Sequence, residues 1–280
     1  MPSKPKLGQN FLNDPQAVER IAASLGDLSG RTVVEIGPGG GAITEALAAR
    51  AGHVLAIELD REFAARLRAQ FAPDRVTVIE QNVLDFDFAK ASADFAASAG
   101  GKLRVAGNLP YYITSPILLK LAASHALLDL AVLMVQREVA DRITAGPGSR
   151  DYGLLSVTVQ MYGPVERLFT LPPSAFTPPP EVHSTVFRWR FAPRFDELGV
   201  EETAFLRFVR TAFAQKRKTL ANNLRAAGLT PSAVAAALTH ASIPPQARAE
   251  ALSIEAFAAL WRSLKAEAAP HGETAPHFPD

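Results

Sequence analysis

Residues 108–111 read Asn-Leu-Pro-Tyr, a combination suited to a weakly nucleophilic aromatic amine. The lone pair of an amine such as adenine N6 is delocalised into the ring. Acceptors placed on both of its N–H bonds draw the nitrogen toward tetrahedral geometry, and the Asn108 side-chain oxygen and the Leu109 backbone carbonyl can supply them. Pro110 lacks an N–H and stiffens the turn, which aims that carbonyl. Tyr111 offers a ring face on which an extruded base can stack. Methyl transfer to such a nitrogen is an in-line displacement at a sulfonium methyl, with the rate supplied by positioning and electrostatics. Asn-x-Pro alone is also a common strand-end turn. Its place one strand beyond a glycine loop and an acid favours the chemical reading.

That loop, residues 35–42, reads Glu-Ile-Gly-Pro-Gly-Gly-Gly-Ala between an apolar run and a helix-like stretch. Its glycines allow a sharp turn and a close approach of backbone to ligand, and Gly37, Gly39 and Ala42 satisfy a loose dinucleotide pattern. Glu58 ends the next apolar run, where an acid takes ribose hydroxyls. These features alone fit NAD and S-adenosylmethionine equally, since both carry an adenosine. Two others separate them. A loop that holds pyrophosphate relies on an open helix N-terminus, whereas the charge expected on Glu35 suits a sulfonium or ammonium. No hydride-transfer constellation follows. The loop therefore reads as an S-adenosylmethionine site.

Apolar runs at 32–36, 53–57, 75–79, 103–106 and 131–135, separated by stretches such as 42–50 and 61–71, must position these groups. Strands alternating with helices predict an α/β domain with a mostly parallel sheet. Further runs at 165–171 and 184–191 complete seven strands, ending near residue 192. An amphipathic helix precedes them at 14–25, capped by Asp14 with Pro15 in its first turn. From about residue 201 the pattern is helical: Phe205, Phe208, Val209 and Phe213 form a stripe with Gly228 as its stop. Further helices start at Thr230-Pro231 and Ser253. The domains expected are a catalytic domain over 1–192, a small all-α domain over 193–266 and a disordered tail over 267–280. The chain of 280 residues has no cysteine, which excludes disulfides, thiolate metal sites and a Cys nucleophile. It shows no long apolar run and no secretory signal, so a cytoplasmic protein without a membrane partner is expected. A net charge of +1 gives no global basic field, so a nucleic-acid case must rest on local patches. The histidines lack metal-ligand spacing, and no metal is assigned.

Five segments make the chain resemble a known family, the ribosomal RNA adenine dimethyltransferases of the KsgA/RsmA group, over about residues 7–264. They are Gly8-Gln9-Asn10-Phe11-Leu12, the Glu35–Gly41 loop, Glu58-Leu59-Asp60, Asn108–Tyr111 and Phe176-Thr177-Pro178-Pro179-Pro180, with Gln215–Leu220 resembling the family as well. The resemblance implies a Rossmann-like class I methyltransferase fold. It implies that Asn10 and Leu12 close over the cofactor, Gly37 lies against its amino-acid portion and Glu58 holds its ribose. Asn82, where the family usually has Asp, would meet its adenine amine through the amide oxygen; Asp85 lies three positions late. Phe176 would be a second aromatic wall for the target base. Glu181 and His183 stand where the family commonly shows Lys and Asp. The implied activity is transfer of two methyls to each of two adjacent adenosines near the 3′ end of 16S ribosomal RNA, within an immature small subunit, by a monomer acting in ribosome biogenesis.

Arg207, Arg210 and Arg217 fall at helical spacing opposite the Phe stripe, flanked by Lys216 and Lys218 and followed by Arg225. Such a face can neutralise phosphates without choosing sequence, or it can simply be solvated. Arg137, Arg142 and Arg150 are candidates to extend it. The competing readings are a methyltransferase of the same chemistry acting on 23S ribosomal RNA or DNA adenine, a non-catalytic RNA-binding assembly factor, and an NAD-dependent oxidoreductase.

Overall fold

A computed structural model describes residues 10–95 and 101–268. Its sheet has seven strands: β1 (Thr32–Ile36), β2 (His53–Glu58), β3 (Val76–Glu80), β4 (Leu103–Asn108), β5 (Leu128–Gln136), β6 (Val165–Leu171) and β7 (Ser184–Arg190). Their spatial order is 3-2-1-4-5-7-6, with β7 antiparallel to both β5 and β6 and the other pairings parallel. All five residues of β1 are buried, as expected for a central parallel strand covered by helices on both faces. The helices of this part are α1 (Pro15–Ser24), α2 (Ala42–Ala48), α3 (Arg61–Gln70), α4 (Phe88–Phe95) and α5 (Thr114–Ala123), and α6 (Arg137–Thr144) follows β5. Asp14 caps α1 by accepting from Gln16 N at 2.9 Å and Ala17 N at 3.2 Å. Asp60 caps α3 in the same way.

The chain leaves β1 toward β2 on one side and reaches β4 on the other. A crevice opens at such a switch point, outside the carboxyl ends of the strands. Gly107 lets β4 lie close to β1 there: a Cβ on it would stand 2.6 Å from the Ile36 carbonyl oxygen. A larger residue would force apart the strands that carry the glycine loop and Asn108.

The described residues divide into two compact units, those up to residue 140 with 164–192, and 141–163 with those from 193 onward. The second gathers α7 (Leu154–Met161), α8 (Phe195–Leu198), α9 (Glu202–Ala212), α10 (Leu220–Ala226), α11 (Pro231–His240) and α12 (Ile254–Ala268). Its core is aromatic: Phe208 lies 5.4 Å from Trp261 and 6.3 Å from Phe257, and Phe213 lies 5.6 Å from Phe257, ring centre to ring centre. Two expectations are corrected here. Residues 141–163 group with the C-terminal helices and not with the catalytic domain expected over 1–192. The stretch 201–228 is not one helix, because α9 stops at Ala212 and a turn over 213–219 precedes α10. The break has side-chain causes. Asn223 Nδ2 donates to Ala212 O at 2.7 Å and to Gln215 O at 3.3 Å, and Thr219 caps α10 through Asn222 N. The expected tail lies almost wholly outside the described residues. Among those described, no helix is long and apolar enough to cross a membrane.

Candidate active site

A cavity at the carboxyl ends of β1 to β4 is lined by Asn10–Leu12, the loop Gly37–Gly40, Glu58, Leu59, Gln81–Val83 and Asn108–Ile113, with Ile36, Ala42, Ile43 and Ile57 beneath. The loop is tied down from below. Gly37 N donates to Ile57 O at 3.0 Å, and Gly39 N donates to Glu58 Oε2 at 3.0 Å. Glu58 Oε1 accepts from Asp60 N at 2.8 Å. This carboxylate, 4 % exposed, is thus held by one backbone N–H on each oxygen and keeps lone pairs for a ligand diol. Among the described residues it is the one formally charged side chain in the lining, and no Lys, Arg or His joins it.

At the end of β4 the amide of Asn108 is oriented by the N-terminal arm. Its Nδ2 donates to Asn10 O at 3.0 Å. Since a carbonyl can only accept, the Asn108 NH2 must face the arm, which leaves Oδ1 for the cavity. Leu109 N donates to Met134 O at 2.9 Å, while its carbonyl takes no hydrogen bond from the described residues. Pro110 sits at φ −61°, and its carbonyl accepts from Thr114 Oγ1 at 3.1 Å. Tyr111 is anchored through its hydroxyl, 2.9 Å from Ser184 Oγ on β7. Two amine acceptors and an anchored aromatic ring therefore stand on one turn.

The arm itself is held by Phe11 and Leu12, which pair antiparallel with Thr177 and Phe176. Asn13 N donates to Ala175 O at 2.9 Å. The Phe11 ring lies against the loop: a Cβ on Gly39, at φ +53°, would meet it at 2.8 Å. Gly8 and Gln9 of the arm motif lie outside the described residues.

Two expectations for the site are corrected. Glu35 is 1 % exposed and does not line the cavity. Burial, together with the charge of Glu58, pushes its carboxyl up to about 8 against the opposing effect of the Thr44 hydroxyl, so it is mainly neutral at pH 7. Its charge therefore does not select the cofactor. Asn82 lines the cavity, but its Oδ1 already accepts from Leu84 N at 3.0 Å. That oxygen keeps a second lone pair, so the cap shares with a ligand the acceptor expected of this amide. Phe176 is 2 % exposed in the core beside Leu12, Ala175 and Leu171 and is absent from the lining; it supports the arm and presents no ring face.

The basic residues are corrected too. Arg207 and Arg210 are on α9, where they border a surface notch with Tyr162 and Glu202. Lys216, Arg217 and Lys218 are exposed on the turn after it, so Arg217 shares no helical face with the other two. Glu201 caps α9, and Glu202 accepts from the Tyr162 hydroxyl at 2.7 Å. Phe11, Leu59, Tyr112 and Ile113 also line the cavity, a role that residue type alone does not signal. Their one signal in the sequence is adjacency to Asn10, Glu58 and Tyr111. Among the described residues no group of His, Asp and Glu could hold a metal ion.

A 3-2-1-4-5-7-6 sheet with a nucleoside-sized cleft over β1 and β2, and an amine-accepting turn on β4, defines a class I methyltransferase dependent on S-adenosylmethionine. The comparisons make this specific. The family model described as ribosomal RNA adenine dimethylase matches residues 2–266. The chain is 60 % identical to the ribosomal RNA small subunit methyltransferase A of Acidobacterium capsulatum, covering 94 % of this chain and 91 % of that one. It is 48 % identical to the protein of the same name from Koribacter versatilis, covering 94 % of each. Among solved structures, the 23S rRNA methyltransferase ErmE aligns with a TM-score of 0.68 at 26 % identity, covering 91 % of this chain and 99 % of that one. A dimethyladenosine transferase from Plasmodium falciparum shares the fold, with a TM-score of 0.76 at 22 % identity over 95 % of this chain and 99 % of that one. The chain belongs to the ribosomal RNA adenine dimethylase family. It is accordingly an enzyme that methylates ribosomal RNA.

Proposed function

We propose that the chain dimethylates N6 of two adjacent adenosines near the 3′ end of 16S ribosomal RNA, acting as a cytoplasmic monomer on an immature small subunit. The observation that carries the chemistry is the Asn108 amide, turned by Asn10 O so that its oxygen is left for the cavity that Leu109 also lines. The small-subunit assignment is supported by relatives of that name at 60 % and 48 % identity. A non-catalytic assembly factor would have no use for this arrangement.

When bound, S-adenosylmethionine supplies an electrophilic methyl on a positively charged sulfur. Glu58 accepts from the ribose hydroxyls, Gly37 leaves room for the amino-acid portion, and Asn10 and Leu12 cover the ligand. Asn108 Oδ1 and the Leu109 carbonyl accept the two N6–H bonds, which localises the lone pair toward the methyl, while Tyr111 holds the base by stacking. The nitrogen loses its proton once the methyl has been gained, so no strong base is required. Transfer of labelled methyl should proceed to unmethylated small subunits and fail with large-subunit RNA and DNA; label in the large-subunit RNA instead would overturn the substrate assignment.

Asn82→Asp should tighten binding of S-adenosylmethionine several-fold. One carboxylate oxygen keeps the Leu84 N–H while the other offers the adenine amine a charge-assisted acceptor. Calorimetry on both proteins checks this, and unchanged or weaker binding would mean that residue 82 does not meet the amine.

Arg207, Arg210, Lys216, Arg217 and Lys218 are proposed to contact phosphates. Charge reversal at the exposed Arg210, Lys216, Arg217 and Lys218 should weaken RNA binding and leave cofactor affinity unchanged. The log–log salt slope should flatten by roughly 0.7–0.9 for every phosphate no longer neutralised. An unchanged slope in filter-binding titrations would move the RNA surface elsewhere, first to Arg137, Arg142 and Arg150.

A further inference from the structure

Four large apolar or aromatic side chains are exposed among the described residues: Leu59, Tyr112, Leu119 and Val182. Two of them, Leu59 and Tyr112, line the catalytic cavity. Single exposed apolar residues are ordinary, but Tyr112 is a ring left 59 % exposed at the mouth of a base-handling site. It sits in the short helical turn Tyr111–Ile113, where side chains one residue apart project about a third of a turn from each other. Tyr111 is anchored to Ser184 at 2.9 Å. Tyr112 makes no hydrogen bond through its side chain to any described residue, so its ring is free to turn onto a ligand. Pulling one nucleotide out of a stack uncovers a face of its neighbour, and recovering that face stabilises the extruded state. We propose that Tyr112 is a second stacking platform, holding the base next to the one being methylated. The site then takes a two-nucleotide step of RNA, with a purine preferred at the neighbouring position for its larger face. This inference rests on the RNA reading above.

The test uses small subunits reconstituted with RNA in which uridine replaces one of the two adjacent adenosines, and follows methylation of the other. In the wild type and in Tyr112→Phe, uridine should lower kcat/KM several-fold, because its smaller face recovers only part of a base–aromatic stack worth about tenfold. Tyr112→Ala should already be reduced by that full factor on the natural RNA and should be indifferent to the replacement. Cofactor affinity by calorimetry should be the same in all three proteins. A wild type indifferent to uridine, or a Tyr112→Ala protein that still distinguishes the two RNAs, overturns the platform. A wild type that methylates neither RNA overturns the substrate reading and the platform with it. Should Tyr112→Ala fail to fold, 2-aminopurine at the neighbouring position reads the contact in the wild type: quenching on binding is expected, and unchanged fluorescence overturns it.

Discussion

Asn108→Ala loses turnover by about 10²–10³-fold, the scale on which removal of one preorganised transition-state contact acts, while the affinity for S-adenosylmethionine falls far less. The mutation deletes the acceptor for one N6–H and also the Nδ2 group that donates to Asn10 O. The second deletion loosens the arm that lies over the cofactor, so a modest rise in Kd is expected. Single-turnover kinetics separate the two effects. With cofactor and RNA both saturating, the chemical step should remain slow, which places the defect in catalysis. A near-normal rate at saturation would reduce Asn108 to a clamp for the arm and would remove the proposed account of amine activation.

Glu58→Ala should weaken S-adenosylmethionine binding by roughly 10²–10⁴-fold, because two charge-assisted ribose hydrogen bonds worth roughly 1.5–3 kcal/mol each disappear. The same carboxylate accepts from Gly39 N and Asp60 N, so the substitution also leaves the glycine loop untied. Glu58→Gln separates these contributions. Its oxygen can still accept one of the two backbone bonds, and the removal of charge alone should cost a smaller factor. Calorimetry checks both, and an S-adenosylhomocysteine titration shows how far the effect depends on the positive sulfur. If Glu58→Ala binds the methyl donor normally, the ribose lies elsewhere.

The sheet was legible because its central strands are buried on both faces and so read as unbroken apolar runs. The run Thr32–Ile36 carried one misleading residue. The apolar residues around Glu35 already placed it inside a doubly covered strand, where a carboxyl sheds its charge. The helix break after Ala212 was hidden because Phe205, Phe208, Val209 and Phe213 keep helical spacing across it. Its cause is the Asn223 side chain, eleven residues beyond Ala212. Phe176 could not be placed from sequence, since its burial follows from pairing with Leu12, 164 residues earlier. The Asn82 cap was accessible in principle, because an Asn after a strand commonly caps the backbone two residues on. The tetrad Asn108–Tyr111 was readable because its chemistry depends on residue type and a tight turn; only the partner that orients the Asn108 amide lay out of reach.

The central claim is that this site methylates the exocyclic nitrogen of adenine. Its most direct test is nucleoside mass spectrometry on unmethylated small subunits after reaction with the purified chain and S-adenosylmethionine. The account predicts N6,N6-dimethyladenosine at two adjacent positions near the 3′ end, with N6-methyladenosine appearing only as a transient. A methyl on a ring nitrogen, on carbon or on a ribose 2′ oxygen would contradict it, because no geometry of Asn108 Oδ1 and the Leu109 carbonyl activates those atoms.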